Sequence, residues 1–286
     1  MPKDGRRPTP AELGLDVTIG IVALSEAEGV FVAASDQMLS YADAFQASKG
    51  GLRKTLQFAD DWRVNFAATD VARFAEIFKK LARGVKADDD AGVLDLDKVK
   101  DACEKSYRSA MREEFVKSNF VQFGYDSHAE FYKSGREDLG AERYNCLLDN
   151  MQFSNFGVEL TVFGFNQEGR PRLFEVVNPG RVIEIGYKGY SVLGTGHDMA
   201  VASIQSKPLP MRASDLVYRV LEAKFATETA SRVDDKTTLL IVNKHESRSM
   251  PAGDIKKIRA VWEAKLAEPT PADATAVIEG SGVLGI

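Results

Sequence analysis

The sequence predicts an α/β protein of the α+β kind: a four-layer αββα sandwich in which two stacked, mainly antiparallel sheets lie between layers of helices. The predicted elements come in groups, in the order strands, two helices, strands, two helices and a last strand. Grouped elements suit stacked sheets covered by helices better than a parallel sheet built from alternating units. The second group of strands is joined by the short turn sequences NQEGRP, NPG and KG, which favour antiparallel meanders.

The composition is that of an ordinary globular protein and excludes several functional classes. Of the 286 residues, 44% are hydrophobic and 28% are charged, which is enough for a real core. The 37 basic and 42 acidic residues give a net charge of −5 and are scattered, so we expect no nucleic-acid partner. The two cysteines and three histidines lie apart in the sequence and predict neither a disulfide framework nor a metal site, and we expect no cofactor.

The sequence carries no targeting or membrane signal. No apolar run approaches the roughly 20 residues that a membrane-spanning helix needs. The basic start, MPKDGRRPTPAELG, lacks the apolar segment of a secretory signal. We therefore expect no membrane partner and a cytoplasmic location, which the small number of cysteines also favours.

The domain organisation predicted from the sequence is one domain with a flexible segment at each end. Residues 1–15 contain prolines and several charges and predict a flexible leader. The domain covers residues 16–266, and the aromatic-rich, glycine-broken segment 117–157 is interpreted as an insertion over its core. Residues 267–286, with PTPADATA and GSGVLGI, predict a flexible C-terminal tail.

The strongest strand signal is a hairpin from Val17 to Asp36. The string VTIGIVAL is β-branched and apolar, Ser25–Gly29 is a turn, and VFVAAS leads to the aspartate. With the turn centred between residues 26 and 27, Thr18 lies opposite Ser35 and Val17 lies opposite Asp36. A second strand pair is predicted at 54–58 and 63–68.

The remaining elements are predicted from periodicity and from capping residues. An amphipathic helix over Ala72–Val85 has an apolar face, and a second helix over Leu96–Val116 begins at a cap supplied by Asp95 or Asp97, after a solvated loop. Short helices are predicted inside the insertion, around 129–133 and 141–149. The later elements are strands 159–165, 172–177, 182–187 and 190–194, helices 198–205 and 214–230, the second capped by Ser214, then strand 237–242 and helix 254–266.

Five strings in this order resemble the proteasome subunit family of the N-terminal-nucleophile hydrolases. They are TIGIVAL, VFVAASD, RKT, AATD and VLGTGHDMA, and the resemblance covers residues 16–85 and 158–243. In that family the mature chain begins with a threonine whose hydroxyl attacks a peptide carbonyl and whose own amine is the base. An aspartate at the end of the second strand and a downstream lysine adjust the reactivity of this threonine. Asp36 and Lys54 match these two residues. A nearby ammonium favours the deprotonated amine, which a weakly nucleophilic hydroxyl requires.

The resemblance leaves two candidates for the nucleophile position. Counted along the predicted hairpin, the family's nucleophile falls at Asp16, whereas a turn two residues longer would bring it to Thr18. Ala67 or Ala68 replaces the family's glycine, whose N–H helps to bind the oxyanion. The resemblance also matches Thr195, in GTG, to a serine of the family.

A further pair of positions, Asp234 and Thr237 in DDKT, matches an Asp-x-x-Ser element of the family. The resemblance implies a proteasome-family ring subunit that is a threonine-type peptidase if removal of the leader frees Thr18. The alternatives are a non-catalytic structural subunit or scaffold that keeps its leader, and an amidase of the same superfamily that acts on a small molecule. The implied partners are other copies of the chain in a ring, a polypeptide substrate and an unfoldase.

Overall fold

The computed structural model describes residues 19–41, 44–47, 54–206, 212–228 and 233–266. The chain divides into two compact units, one up to Met250 and one from Pro251. The predicted leader and C-terminal tail lie outside the described residues, so the predicted domain boundaries stay predictions. Within the described residues, no helix combines the length and the apolar character that crossing a membrane requires.

The first unit contains most of the regular structure. Its strands are β1 (Ile19–Ser25), β2 (Val30–Asp36), β3 (Met38–Tyr41), β4 (Ala44–Ala47), β5 (Thr55–Ala59), β6 (Trp62–Ala68), β7 (Val158–Phe165), β8 (Pro171–Val177), β9 (Arg181–Glu184), β10 (Tyr190–Gly194), β11 (Thr237–Val242) and β12 (Ser247–Ser249). Its α-helices are α1 (Val71–Asp90), α2 (Leu96–Phe115), α3 (His128–Leu139), α4 (Ala141–Phe153), α5 (His197–Gln205) and α6 (Ala213–Thr227).

Two five-stranded antiparallel sheets form the centre of this unit. One has the strand order β10-β1-β2-β11-β12 and the other β5-β6-β7-β8-β9, while β3 and β4 form a separate pair. Strands β7, β8 and β9 form an antiparallel meander, as the turn sequences NQEGRP and NPG predicted. The KG segment does not continue it, because β10 belongs to the other sheet. The apolar runs of β1 and β7 are buried along almost their whole length, since each lies inside a sheet and is covered on both faces.

The two sheets stack face to face, and each outer face is covered by helices. Val22 and Phe31 of the first sheet share an apolar cluster with Phe163 and Leu173 of the second. Helices α1 and α2 pack on the second sheet through a larger cluster that includes Ile77, while α5 and α6 contact strands of the first sheet. The predicted four-layer αββα sandwich is therefore confirmed.

The register of the first hairpin differs from the prediction. Ser25 stays in β1 opposite Val30, and Gly20 lies opposite Ser35. The turn comprises residues 26–29 and is closed by the Gly29 N–H, which donates to the Glu26 carbonyl at 3.3 Å. Gly29 has a φ of 59°, a conformation that glycine adopts without strain. The predicted pairing of Ser35 with Thr18 is wrong, because the turn is centred between residues 27 and 28.

Several helix boundaries also differ from the predictions, mostly because tertiary contacts extend or shift them. Helix α1 continues to Asp90, into the predicted solvated loop; the Asp89 carboxylate accepts the Asp60 N–H at 3.2 Å and so ties the last turn to the β5–β6 turn. The predicted cap of α2 is confirmed at Asp95, whose carboxylate accepts the Lys98 N–H at 2.8 Å. Ser214 is not a cap, because α6 begins at Ala213.

Other differences concern short elements. The predicted strand 182–187 ends at Glu184 and is followed by a 3₁₀ turn at Gly186–Lys188. Strands β3, β4 and β12 were not predicted, since their segments are short and lack a run of β-branched residues.

The insertion is helical and has its own apolar cluster. It continues from α2 through a π-helical turn, Val116–Phe120, and a 3₁₀ turn, Val121–Phe123, into α3 and α4, which are longer than predicted. Its cluster consists of aromatic and aliphatic side chains: Phe115, Phe120, Tyr125, Phe131 and Leu147. The segment therefore packs around its own side chains.

The second unit contains helix α7 (Ala252–Leu266), close to the predicted helix 254–266. The helix begins directly after Pro251, whose carbonyl accepts the Asp254 N–H at 3.0 Å. An acidic residue in the first turn and Lys265 in the last complement the helix dipole.

Candidate functional site

One edge of the sandwich gathers the ends of several strands from both sheets. Ile19 begins β1, Asp36 ends β2, and Thr237 begins β11 and pairs with Asp36. Lys54 directly precedes β5 in the other sheet, and its carbonyl accepts the Phe66 N–H at 3.2 Å. The antiparallel order thus brings together three polar residues that lie up to about 200 positions apart in the sequence.

Asp36 and Lys54 form a buried ion pair at this edge. Their side chains are 0% and 1% exposed, and the Lys54 Nζ donates to the Asp36 Oδ1. The same oxygen accepts the backbone N–H of Ile19 at 3.3 Å. Burial lowers the pKa of Lys54, while the adjacent Asp36 carboxylate acts in the opposite direction. Asp36 therefore links the buried ammonium of Lys54 to the backbone of Ile19, the first described residue of β1.

The DDKT segment lies beside this pair. Burial raises the pKa of Asp234, whose Oδ1 accepts the Lys236 N–H at 2.7 Å. The Thr237 hydroxyl is buried and has no hydrogen-bond partner within the described part of the chain. Asp234 and Thr237 therefore belong to the same edge of the first sheet as Asp36.

Thr195 reaches this edge from β10. It follows Gly194, which pairs with Ile19, and its side chain is exposed. The Gly194 N–H donates to the Glu159 Oε2 at 3.2 Å, which links the turn to the facing sheet. Burial raises the pKa of Glu159.

A cavity of about 740 Å³ opens beside this turn. Its lining includes residues of both sheets: Ala67, Ala68, Thr69, Glu159, Glu175 and Thr195. Ala67 and Ala68, which the sequence resemblance matches to an oxyanion-binding glycine, therefore line the same cavity as Thr195. Behind the wall a hydrogen-bond chain crosses between the sheets, from Thr161 to the Ser191 hydroxyl (2.6 Å) and from there to Glu175 (2.8 Å).

The two candidates for the nucleophile, Thr18 and Asp16, lie outside the described residues. Of the six site residues predicted from the sequence, the structure therefore describes five, and it brings Asp36, Lys54 and Thr237 into one cluster with Asp234 close by. Thr195 lies at the end of a neighbouring strand. A group of three or more histidine, cysteine or acidic side chains able to hold a metal ion does not occur in the described ranges.

Sequence reasoning missed one ionisable residue near this cluster. Lys224 of α6 is 0% exposed, and its charge acts on the pKa of Lys54 in the same direction as burial does. A signal was present, because Leu216, Val220 and Lys224 are spaced by four residues and so share the apolar face of the helix.

This four-layer αββα sandwich with two antiparallel sheets is consistent with a proteasome-like fold. A solved structure with this fold that resembles the chain is Anbu (Gly-1 mutant) from Hyphomicrobium sp. strain MC1. The similarity has a TM-score of 0.59 and 13% sequence identity, and it covers 88% of this chain and 95% of that one. At this identity the likeness shows the fold alone. No family model matches the sequence, and the search of curated proteins found no match.

Proposed function

We propose that this chain is a proteasome-family ring subunit and acts as a threonine-type peptidase once Thr18 is its N-terminal residue. The observation that carries the proposal is the buried Asp36–Lys54 pair, hydrogen-bonded to the backbone N–H of Ile19. Thr18 is joined to that same nitrogen by its peptide bond. A buried lysine and aspartate next to the start of a strand are what an N-terminal threonine nucleophile needs nearby.

The hairpin register supports Thr18 over Asp16. In the family, the nucleophile lies one residue before the cross-strand partner of the aspartate that Asp36 matches. Continued by one step from Gly20 and Ser35, the observed register pairs Asp36 with Ile19. The residue before Ile19 is Thr18, and its hydroxyl is a competent nucleophile when a base removes its proton.

The proposed reaction is acyl transfer through the threonine. The Thr18 Oγ attacks the peptide carbonyl, the free α-amine of Thr18 takes the hydroxyl proton, and the tetrahedral intermediate releases the amine product as the proton is passed to it. Water then attacks the ester, which releases the acid product and restores the hydroxyl. Lys54 favours the neutral α-amine, Asp36 holds Lys54, and a backbone N–H at Ala67 or Ala68 binds the oxyanion.

The remaining predicted residues have supporting roles in this proposal. Thr195, Asp234 and Thr237 supply hydroxyl and carboxylate groups around the α-amine, as the matching residues of the family do. The proposal further includes assembly of copies of the chain into a ring, a cytoplasmic location, a polypeptide substrate and delivery of that substrate by an unfoldase.

Peptide hydrolysis by the purified full chain tests the proposal. We expect fluorogenic peptides to be cleaved by wild type and by Thr18→Ser, and cleavage to be lost in Thr18→Ala. Thr238→Ala is the matched control, since the Thr238 hydroxyl bonds to Ser35 at 2.9 Å in the same sheet and has no proposed role in the reaction. Hydrolysis by Thr18→Ala at the wild-type rate would refute the peptidase, and a full-length, inert wild type would favour the non-catalytic subunit.

Assembly is tested separately by the mass of the purified particle in solution. A ring predicts a particle several times the mass of the 31.4 kDa chain. A monomer that still cleaves a small amide would favour the small-molecule amidase.

A further inference from the structure

A second buried lysine adjoins the proposed site. Lys224 lies on α6, and its side chain is 0% exposed. Removing an ammonium from water is costly unless oxygens replace the lost hydration. Two oxygens do so here, the Glu228 Oε1 and the main-chain carbonyl of Asp234, each 2.7 Å from the Lys224 Nζ.

The bond to Asp234 connects the helix to the segment that leads into β11. Glu228 directly follows the last residue of α6, whereas Asp234 precedes β11 by three residues. The first residue of β11, Thr237, pairs with Asp36. The Lys224 ammonium therefore fixes the backbone at the point where the chain enters the strand beside the Asp36–Lys54 pair.

The end of α6 also packs against the other elements of the site. A Cβ placed on Gly196, in the GTG turn, would lie 2.7 Å from the Thr227 Cβ and 3.3 Å from the Ile19 Cδ1. The Thr227 hydroxyl in turn donates to the Lys224 carbonyl at 2.6 Å. The last turn of α6 thus packs against the GTG turn, which also lies near Ile19 at the start of β1, and its Lys224 bonds to the DDKT segment.

The charge of Lys224 reaches Lys54 as well. Burial is the main cause of the lowered pKa of Lys54, and the Lys224 ammonium acts in the same direction, against the carboxylates of Asp36 and Asp234. The two lysines are thus electrostatically coupled within one cluster of charges.

We propose that Lys224 is a positioning residue of the site, holding the Asp234–Thr237 segment against Asp36 and Lys54 through its buried ammonium. This inference rests on the proposed peptidase function. In this proposal Lys224 acts through the backbone that it fixes and through the charge that it presents to Lys54.

Lys224→Met in the full chain is the primary test. The side chain keeps its length and loses its charge and its hydrogen bonds. We expect kcat for peptide hydrolysis to fall about 10²-fold with KM within about threefold, because small displacements at a reacting centre cost about that much. Hydrogen exchange of the backbone amides at 235–238 should become faster.

The pH profile supplies a readout that a structural role alone would not move. Without the Lys224 charge, the pKa of Lys54 should rise, because a repelling neighbour is gone. In the pH profile of kcat, the fall of activity on the alkaline side (the alkaline limb) should therefore move to higher pH. Lys224→Gln, which keeps an N–H donor for the Asp234 carbonyl, is the second variant if Lys224→Met fails to fold, and we expect a smaller fall in kcat with the same shift of the limb.

Arg219→Met is the matched control. Arg219 is a buried cation of the same helix that bonds to Glu222 and Ser206, away from Asp234. If it lowers Tm as much as Lys224→Met does but keeps kcat, the positioning role is supported. The positioning role would be overturned by an equal loss of kcat in both variants. It would also be overturned if Lys224→Met changed neither kcat nor the alkaline limb of its pH profile. A wild type that begins at Thr18 and hydrolyses no peptide overturns the proposed function instead. In that case, faster hydrogen exchange at 235–238 in Lys224→Met still shows whether Lys224 orders the Asp234–Thr237 segment.

Discussion

At the scale of single residues, the Asp36–Lys54 pair is the most unusual feature of the fold. Both side chains are inaccessible to solvent, although lysine and aspartate are rarely buried. A buried pair is weak evidence for stability, since desolvation offsets most of the attraction. Its position at the start of β1, where Ile19 donates to Asp36, is easier to explain by a chemical role.

Removing one partner of this pair should be costly. We expect Asp36→Asn or Lys54→Met to lower the free energy of unfolding by about 3–5 kcal/mol, because each leaves the other group buried without its partner. The double variant should cost less than the sum of the two. Urea denaturation measures all three, with Lys86→Met as the control, since the Lys86–Asp90 pair is exposed and should matter far less. Additive losses would show that the pair is not coupled.

Gly20 is a second residue whose identity follows from a close approach. A Cβ at this position in β1 would lie 2.3 Å from the Asn65 Oδ1 of the facing sheet. We expect Gly20→Ala to lower the free energy of unfolding by about 1–3 kcal/mol through overpacking. Asn65→Ala in the same chain should relieve much of that loss.

The control for this substitution is Gly186→Ala, because nothing lies within 4 Å of a Cβ there. Chemical denaturation compares the variants. If Gly20→Ala were as stable as Gly186→Ala, the two sheets would not approach each other as closely at this point as the structure indicates.

At the scale of elements, the helical insertion has a titratable group inside its aromatic cluster. His128 stacks near Phe115 and Phe120 and faces Tyr132 of its own helix. Burial, with help from the charge of Arg112, lowers the pKa of His128 below its usual value of 6.5. The folded state therefore prefers the neutral imidazole.

This preference predicts a pH dependence of stability. The folded state binds fewer protons at His128 than the unfolded state does, so the stabilisation is complete above about pH 6.5 and is lost as the pH falls through the lowered pKa. His128→Phe should remove this part of the pH dependence, measured as Tm between pH 8 and pH 5. His245→Phe, the same substitution on an exposed turn, is the control. An identical pH dependence in wild type and His128→Phe would contradict the assignment.

Elements with strong periodicity could be predicted from the sequence, and those fixed by long-range contacts could not. The apolar runs of β1, β2 and β6 and the face of α1 define their own positions. The hairpin register depends on whether Ser25 is the last strand residue or the first turn residue, and composition does not decide between these. The last turn of α1 depends on a bond between Asp89 and the distant Asp60, which no local pattern records.

The same distinction holds for the candidate site. Asp36 and Lys54 follow from strand ends and from the resemblance of the strings around them. Lys224 has no match in those strings, and its role depends on a bond to Asp234 that exists only after α6 folds onto the first sheet. A lysine on an apolar helix face is the local signal that would have identified it.

At the scale of the whole molecule, the sandwich explains why the site lies where it does. Antiparallel order brings the start of β1, the end of β2 and the starts of β5 and β11 to one edge. The two sheets open there around a cavity of about 740 Å³. The core supplies a rigid frame with the polar residues at its margin, where Asp36 and Lys54 are buried and Thr195 lines the cavity.

The most direct test of the proposed peptidase is the intact mass of the protein purified from cells. We predict that the wild-type chain loses residues 1–17 and begins at Thr18, because the threonine α-amine must be free to act as the base. Thr18→Ala should keep those residues. A wild-type chain that retains its full mass and cleaves no peptide, or a new N-terminus at any residue other than Thr18, would contradict the proposal.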